Sequence, residues 1–421
     1  MQELKVSKLA DQLIGSEIIK LSGEVNKLIG QGEKIFNLTI GDFNPNYFPI
    51  PDELKAEILK AYQSNITNYP AANGVIELRD AVSAFQKRRA GVTYTSDEIL
   101  ISGGARPIIY SVYATLVDPN DTVVFAVPSW NNNHYTYLNQ AKSVVIEGKP
   151  ENNFMPSAVD IKPYVKEATL IALCSPQNPT GTVFTKEGLE EICDLILAEN
   201  HRRDEQTKPL YLLFDEIYWE LMMDGVEHYN PVKLRPEMKN YTIFVDGISK
   251  SLSATGIRVG WGMGPEKVIS KMKSLLTHVG AWAPKAEQIA TANFLLNENA
   301  YDQFISEQRS KINLRLNGLY KGLKSLHTKG LNIDVIAPQG AIYLTIKLDL
   351  IGKMTPQGER LSNMKEVFEY ILNQAKIALV PFYAFGTNHD LPWFRLSVGT
   401  LALEDIDKII ANLEEALEKL S

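Results

Sequence analysis

A lysine set among small side chains is the residue in this sequence best suited to covalent chemistry. Lys250 ends the segment Gly247-Ile248-Ser249-Lys250, and Ser251 to Gly260 follow it with Gly256 and Arg258 among them. The apolar run Thr242 to Val245 comes directly before. Lysines ordinarily lie on solvated surfaces, and a partly desolvated one has a lowered pKa and forms Schiff bases with carbonyl compounds. Arg258 suits a phosphate, because its fork of donors is always charged. Other apolar runs end in side chains of related chemistry. Leu210 to Phe214 ends in Asp215-Glu216-Ile217-Tyr218, where the acid can pair with a cationic ring nitrogen or cap a helix. Leu170 to Cys174 leads into Ser175-Pro176-Gln177-Asn178-Pro179-Thr180-Gly181. The prolines stiffen that loop and hold Asn178 at its tip, free to donate to a phenolate-like oxygen or to bond its own backbone. Thr122 to Val127 leads to Trp130, a residue that stacks on a flat heteroaromatic ring or fills a core. Ile99 to Ser102 leads to Gly103-Gly104-Ala105-Arg106 before a helical stretch, which is either an anion site at a helix N-terminus or a plain βα turn.

The elements that must position these residues are short, near-continuously apolar runs, as expected for strands buried on both faces. Stretches long enough for crossover helices separate most of them. This pattern predicts an α/β domain with a mostly parallel sheet over residues 45–290. Ligands of such sheets sit at the carboxyl ends of the strands, where the residues above cluster. The C-terminal part reads as α+β. A long helix is predicted over 301–326, strands over 333–336 and 341–346 around Pro338-Gln339-Gly340, a helix near 363–375, and strands near 377–380 and 394–398. Ile406, Ile409, Ile410, Leu413, Leu417 and Leu420 share one face of a last helix. Residues 1–44 and 291–421 are expected to form a second, smaller domain from both chain ends.

Composition narrows the function classes. The chain has 421 residues, 45% of them hydrophobic, and a net charge of -7. That balance argues against a general nucleic-acid binder and against an anionic-membrane anchor. Two cysteines, Cys174 and Cys193, lie among apolar neighbours and read as buried thiols in a reducing compartment. No apolar run approaches the ~20 residues of a bilayer span, and the start of the chain lacks the core of a secretory signal. The expected location is the cytoplasm. The six histidines make no ligand-spaced pair, so no metal site is expected.

The segment Gly247 to Gly260, with Lys250, Gly256, Arg258 and Gly260, resembles the lysine signature of class I/II pyridoxal-phosphate-dependent aminotransferases. Further landmarks of that family occur in order: Asn68-Tyr69-Pro70, Gly103-Gly104, Trp130, Asn178-Pro179-Thr180-Gly181, Asp215-Glu216-Ile217-Tyr218 and Phe394-Arg395-Leu396-Ser397. The resemblance covers roughly residues 35–400. It implies a large domain with a mostly parallel seven-stranded sheet flanked by helices, plus a smaller α+β domain. It also implies pyridoxal 5'-phosphate as cofactor. Lys250 matches the residue that carries the cofactor and then shuttles the proton, and Asp215 the acid that keeps the ring nitrogen protonated. Asn178 and Tyr218 match donors to the ring oxygen, and Trp130 the aromatic stacked on the ring. Gly104, Ala105, Ser249 and Arg258 match the phosphate neighbourhood. Arg395 matches the arginine that grips the substrate α-carboxylate, with Gly41 of Gly41-Asp42-Phe43-Asn44-Pro45 beside it. Trp130 and Asn178 also fall on the substrate side. Tyr69 matches a tyrosine that reaches the phosphate of a neighbouring subunit, which implies a homodimer with shared sites.

The resemblance implies ping-pong transamination between an L-amino acid and a 2-oxo acid, with aspartate or a broad acidic/aromatic range as the expected donor. Arg106 is a candidate cation for a distal carboxylate, and Ser16 resembles a substrate-side serine. Two positions depart from the pattern. Gly247 stands where many relatives carry a phosphate-binding serine, and Phe382 where they often carry glycine, so Phe382 either narrows the substrate pocket or packs in the small domain. A C–S lyase or an aminocyclopropane-carboxylate-synthase-like enzyme is the alternative on the same scaffold. A sensor module of a transcription regulator is disfavoured, because no basic recognition helix is visible.

Overall fold

The computed structural model describes residues 5–421. Seven strands form the large sheet: β1 (Ile99–Ser102), β2 (Thr122–Val127), β3 (Lys142–Glu147), β4 (Ala168–Cys174), β5 (Tyr211–Asp215), β6 (Thr242–Gly247) and β7 (Gly260–Met263). Their order across the sheet is β1-β7-β6-β5-β4-β2-β3. The pairs within β6-β5-β4-β2-β3 are parallel, and β7 runs against both β1 and β6. The predicted α/β class with a mostly parallel sheet is what the chain adopts. The central strands are apolar throughout because helices cover both faces. Ile108 and Val112 of helix Ala105–Leu116 and Met272 of helix Glu266–Val279 pack on one face against Leu100, Val123 and Leu213. Phe85, Ile192 and Phe294 from other helices pack on the opposite face against Val124, Ile171 and Phe244. β3 escaped the sequence reading of apolar runs. It is an edge strand whose Lys142, Ser143, Val145 and Glu147 face solvent, so it carries no continuous apolar signal.

A second, four-stranded antiparallel sheet takes Ile333–Val335, Tyr343–Leu348, Val380–Pro381 and Trp393–Ser397. Helices Met364–Gln374 and Ile406–Glu418 bury their apolar stripes against it. The N-terminal helix Glu17–Gly30 inserts Ile18, Leu21 and Val25 into the same core, and Phe36 pairs with Ile377 in a short parallel ladder. The strand expected from residue 341 begins at Tyr343. Ala341 has φ +60°, and its N–H and that of Gly340 donate to Leu221 and Gly181, so the chain cannot extend earlier.

The boundary expected at residue 290 falls inside helix Lys285–Leu296. Ala290, Ala292, Phe294 and Leu295 of that helix belong to the core of the large sheet, as do Tyr301 and Ile305. Helix Glu298–Thr328 then continues into the other core with Ile312, Leu316, Leu319 and Leu323. Apolar burial on the large sheet therefore runs past 290, and one 31-residue helix joins the two cores. Among the described residues no helix is long and apolar enough to cross a membrane.

At one edge of the sheet two turns press onto β7. A Cβ on Gly260 would lie 2.5 Å from the Gly104 carbonyl carbon and 2.6 Å from Ala105 N. Those are rigid backbone atoms. Gly260→Ala is expected to cost roughly 1–3 kcal/mol, the usual range for overpacking. Urea unfolding of the variant checks this, and an unchanged midpoint would mean that the turn has room to move.

Candidate active site

β1, β2, β4, β5 and β6 all point the same way, so their carboxyl ends share one edge, and the reversed β7 delivers Gly260 to it. A cavity of about 570 Å³ opens there, closed on its far side by Tyr343 and Arg395 of the small sheet. Gly41, Ala105, Arg106, Trp130, Asn178, Asp215, Tyr218, Ser249, Lys250, Arg258 and Arg395 line it. Gly104 is the residue just before the helix that begins at Ala105. Two expected residues stand apart from this wall. Ser16 precedes helix Glu17–Gly30, and it is Ile18 that reaches the cavity from that segment. Tyr69 is 81% exposed, with its ring edge-on to Trp282 at 5.4 Å.

One end of the cavity is built for an anion. The 12-residue helix Ala105–Leu116 directs its first N–H groups toward it. Gly104 holds φ +96°, and a Cβ there would lie 2.2 Å from Arg258 Nη2, so only glycine lets the guanidinium settle at the helix start. Arg258 itself has φ +63° and donates to the Thr255 carbonyl at 2.7 Å and the Gly103 carbonyl at 2.8 Å. Ser249 completes this end. Gly247 has no room for the serine of the family pattern. A Cβ there would lie 2.7 Å from Gly260 Cα and 2.8 Å from Val259 O.

Lys250 Nζ donates to the Gly41 carbonyl at 2.6 Å and lies 5.8 Å from the centre of the Tyr218 ring. Burial brings its pKa down to about 8, with Arg395, Arg106 and Arg258 assisting and Asp42 opposing. Asp215 ends β5 on the cavity floor. Burial pushes its pKa up to about 6, against the hydrogen bond from Ile217 N to Oδ1 and the charge of Lys250. Asp42 fixes the Gly41 loop by accepting from Thr255 Oγ1 and from its neighbour Phe43 N, both at 2.8 Å.

Arg395 is 2% exposed. Its Nη1 donates to Asn178 Oδ1 at 3.1 Å and its Nη2 to the Thr39 carbonyl at 2.5 Å, while Nε has no partner. Neither Arg395 nor Arg258 is paired with a carboxylate among the described residues. A buried guanidinium without a counter-ion is costly, and burial lowers its pKa. Tyr343, which sequence reasoning missed, lies 4.6 Å under that guanidinium and shares a 2.7 Å hydrogen bond with the Tyr218 hydroxyl. Burial pushes both phenols upward. No signal in the sequence marked Tyr343; its place two residues before Thr345, which pairs with Arg395 across the small sheet, emerges only in the fold. Arg106 lies at the helix start with its guanidinium 5.2 Å over the Trp130 ring. Phe382 does not narrow the cavity. It is fully buried in the small-sheet core, edge-on to Phe154 at 5.1 Å. Cys193 is buried as expected, whereas Cys174 is only half-buried at the cavity wall.

Comparison with known proteins agrees with this arrangement. An aspartate aminotransferase of Rhizobium meliloti (strain 1021) is 27% identical over 409 residues, spanning 96% of this chain and 93% of the relative. A probable aspartate/prephenate aminotransferase of Rickettsia conorii is 28% identical over 384 residues, spanning 90% and 91%. The crystal structure of the aspartate aminotransferase from Rhizobium meliloti superposes with a TM-score of 0.90 at 25% identity, covering 100% of both chains. An aromatic aminotransferase from Pyrococcus horikoshii OT3 superposes with a TM-score of 0.80 at 25% identity, covering 94% of this chain and 98% of that one. The sequence profile of the family "Aminotransferase class I and II" matches residues 33–413. With that match spanning nearly its whole length, the chain belongs to the class I and II aminotransferase family.

Proposed function

We propose that this aminotransferase uses pyridoxal 5'-phosphate to move the amino group of L-aspartate, or of a range of acidic and aromatic L-amino acids, to a 2-oxo acid by a ping-pong route. One observation carries the reading. A lysine amine brought down to about 8 and an acid pushed up to about 6 line one cavity, beside two arginines that have no carboxylate partner among the described residues. When bound, the cofactor supplies a cationic ring that takes up the electron pair released at the substrate α-carbon. The donor set fits such a group. Helix Ala105–Leu116, Ser249 and Arg258 suit its phosphate, Trp130 a ring face, and Asp215 a ring N–H, since Ile217 N engages only one of its oxygens. Asn178 and Tyr218 suit the ring oxygen. Lys250 would hold the group covalently, and its Nζ, once free and neutral, takes the α-proton and returns it. Arg395 binds the α-carboxylate through its nitrogens beside the Gly41 backbone, and the bound anion balances its buried charge.

Arg106 faces the same cavity from over Trp130, a position suited to a distal carboxylate, and the names of the relatives point to aspartate and aromatic donors. Ser16 remains a candidate only if its segment moves toward the cavity. The units built on the two sheets serve as a cofactor domain and a smaller domain. Tyr69 supports a homodimer, because it stands exposed outside its own cavity and is free to enter a partner's. The free thiols of Cys174 and Cys193 agree with the cytoplasm.

Lys250→Ala is expected to cut transamination by roughly 10³-fold or more while leaving a folded protein. Near-normal turnover would sink the assignment. Single-turnover absorbance changes with aspartate, phenylalanine, alanine and leucine should be fastest for aspartate. Arg106→Ala should weaken aspartate about tenfold, the worth of one charged hydrogen bond, and leave leucine nearly unaffected. An aspartate rate no better than that of leucine would refute the acidic donor. Asp215 gives a test in the cofactor-free protein. Its folded pKa of about 6 exceeds the ordinary carboxylate value of 3.8, so stability falls as pH rises from about 4 to 6, and the full cost persists above that. Asp215→Asn should therefore raise stability at pH 7 by about 3 kcal/mol, and the gain should vanish below about pH 4. Melting curves across that range decide it. A gain that does not change with pH would mean that burial does not raise the pKa of the acid.

A further inference from the structure

β5 and β6 lie side by side, and their side chains alternate between the two faces of the sheet. Asp215 faces the cavity. Glu216 and Asp246 face the opposite side, 1% and 2% exposed. Among the described residues no cation is hydrogen-bonded to Asp246. Arg89, the guanidinium in that region, is held by Glu220 through Nε at 3.0 Å and Nη2 at 2.5 Å. Asp246 makes three contacts, and each reaches a different element. Oδ1 accepts from Gly247 N at 2.7 Å. Oδ2 accepts from Trp219 Nε1 at 2.9 Å and faces Gln86 Nε2 at 3.4 Å. Gly247 opens the turn that leads to Lys250. Trp219 follows Tyr218 in the loop that leaves Asp215, and Gln86 lies on helix Ile76–Arg89 behind the sheet. One carboxyl group thus ties the lysine's turn to the loop of the other two polar groups and anchors both to the helix layer.

Gly247 has no side chain of its own to hold the turn, and from the other side it rests on bare backbone at Gly260. The acceptor behind it takes the Gly247 N–H, while the next N–H, that of Ile248, donates to the Val259 carbonyl at 3.2 Å and the Gly247 carbonyl accepts from Ser251 Oγ at 3.4 Å. Burial, with Glu216 alongside, pushes the Asp246 pKa well above the ordinary carboxylate range. Gln86 Oε1 has no partner, and turning that amide over would offer it to an acid O–H on Oδ2. The surroundings fit a neutral carboxylic acid that donates to Gln86 while accepting from Gly247 and Trp219.

We propose that Asp246 is a positioning residue for Lys250, holding the Gly247 turn from behind the sheet and so fixing the amine relative to Asp215 and Tyr218. The proposal rests on the reading of Lys250 as the amine that moves the proton. Asp246 itself touches neither cavity nor substrate.

Asp246→Leu keeps the branched shape at a larger volume and removes all three ties. Asp246→Asn keeps an acceptor for Gly247 N and a donor for Gln86 but loses the acceptor for Trp219 Nε1. In Asp246→Leu the holoenzyme's kcat is expected to fall roughly 10–100-fold, the scale of a small misplacement, with KM within about threefold of wild type. In Asp246→Asn, kcat should stay within about fivefold of wild type. In the cofactor-free protein, amide exchange of the 246–252 peptide should speed at least about tenfold in Asp246→Leu, and in Asp246→Asn no more than in Trp219→Phe, because only the Trp219 tie is lost. Trp219→Phe cuts one tie from the far end and is expected to lower kcat about threefold, with faster exchange in the same peptide. It carries the test if Asp246→Leu does not fold. Wild-type kcat per folded enzyme and wild-type exchange in Asp246→Leu, or in Trp219→Phe when it stands in, would overturn the proposal even if stability had dropped. The exchange result holds whether or not Lys250 proves essential, so a failure of the lysine assignment and a failure of this proposal are separable.

Discussion

Backbone meets backbone at one edge of the large sheet, and the site depends on that contact. A Cβ at Gly260 would fall on Gly104 and Ala105, and a Cβ at Gly247 would fall on Gly260. Three turns therefore converge to van der Waals distance with no side chain between them. The convergence sets the start of helix Ala105–Leu116, the guanidinium of Arg258 and the turn that carries Lys250 within one small volume. It requires β7 to run against β1 and β6, because only the reversed strand brings its first residue to the edge where the other strands end.

The charges follow from the same geometry. Four cations, Lys250, Arg106, Arg258 and Arg395, share the cavity, and none of them has a carboxylate partner among the described residues. Desolvation and mutual repulsion favour the neutral lysine and leave the arginines ready for anions. The sheet also keeps acids apart. Asp215 ends β5 on the cavity side, while Glu216 and Asp246 are buried on the other side. Alternation along adjacent strands thus lets one acid serve the cavity and another the scaffold. The backbone hydrogen bond from Glu216 N to the Val245 carbonyl at 3.0 Å holds the two strand ends together.

Most central strands were legible because burial on both faces leaves a continuous apolar run, as in Thr122–Val127 and Thr242–Val245. β3 was not legible, since an edge strand open to solvent has no such run. The late start of Tyr343–Leu348 depends on hydrogen bonds from Gly340 and Ala341 to residues far away in sequence. Most candidate site residues were readable because they follow strand ends, where an α/β sheet collects them. Tyr343 was not, because a tyrosine in a strand reads as core until its neighbours across the sheet are known. Ser16 and Ile18 differ by two places, and the start of helix Glu17–Gly30 decides which of them reaches the wall.

By itself the sequence determined the kinds of side chain, their order and the strand ends that carry them, because burial and turn chemistry are written in neighbouring residues. The tertiary structure decided which of these groups touch and how they ionise. Lys250 reaches the Gly41 carbonyl across 209 residues, and Arg395 reaches Asn178 across 217. The lowered lysine and the raised Asp215 arise from burial and from charges brought close by folding. Such proximity is a property of packing between distant segments, and no local pattern of residues encodes it.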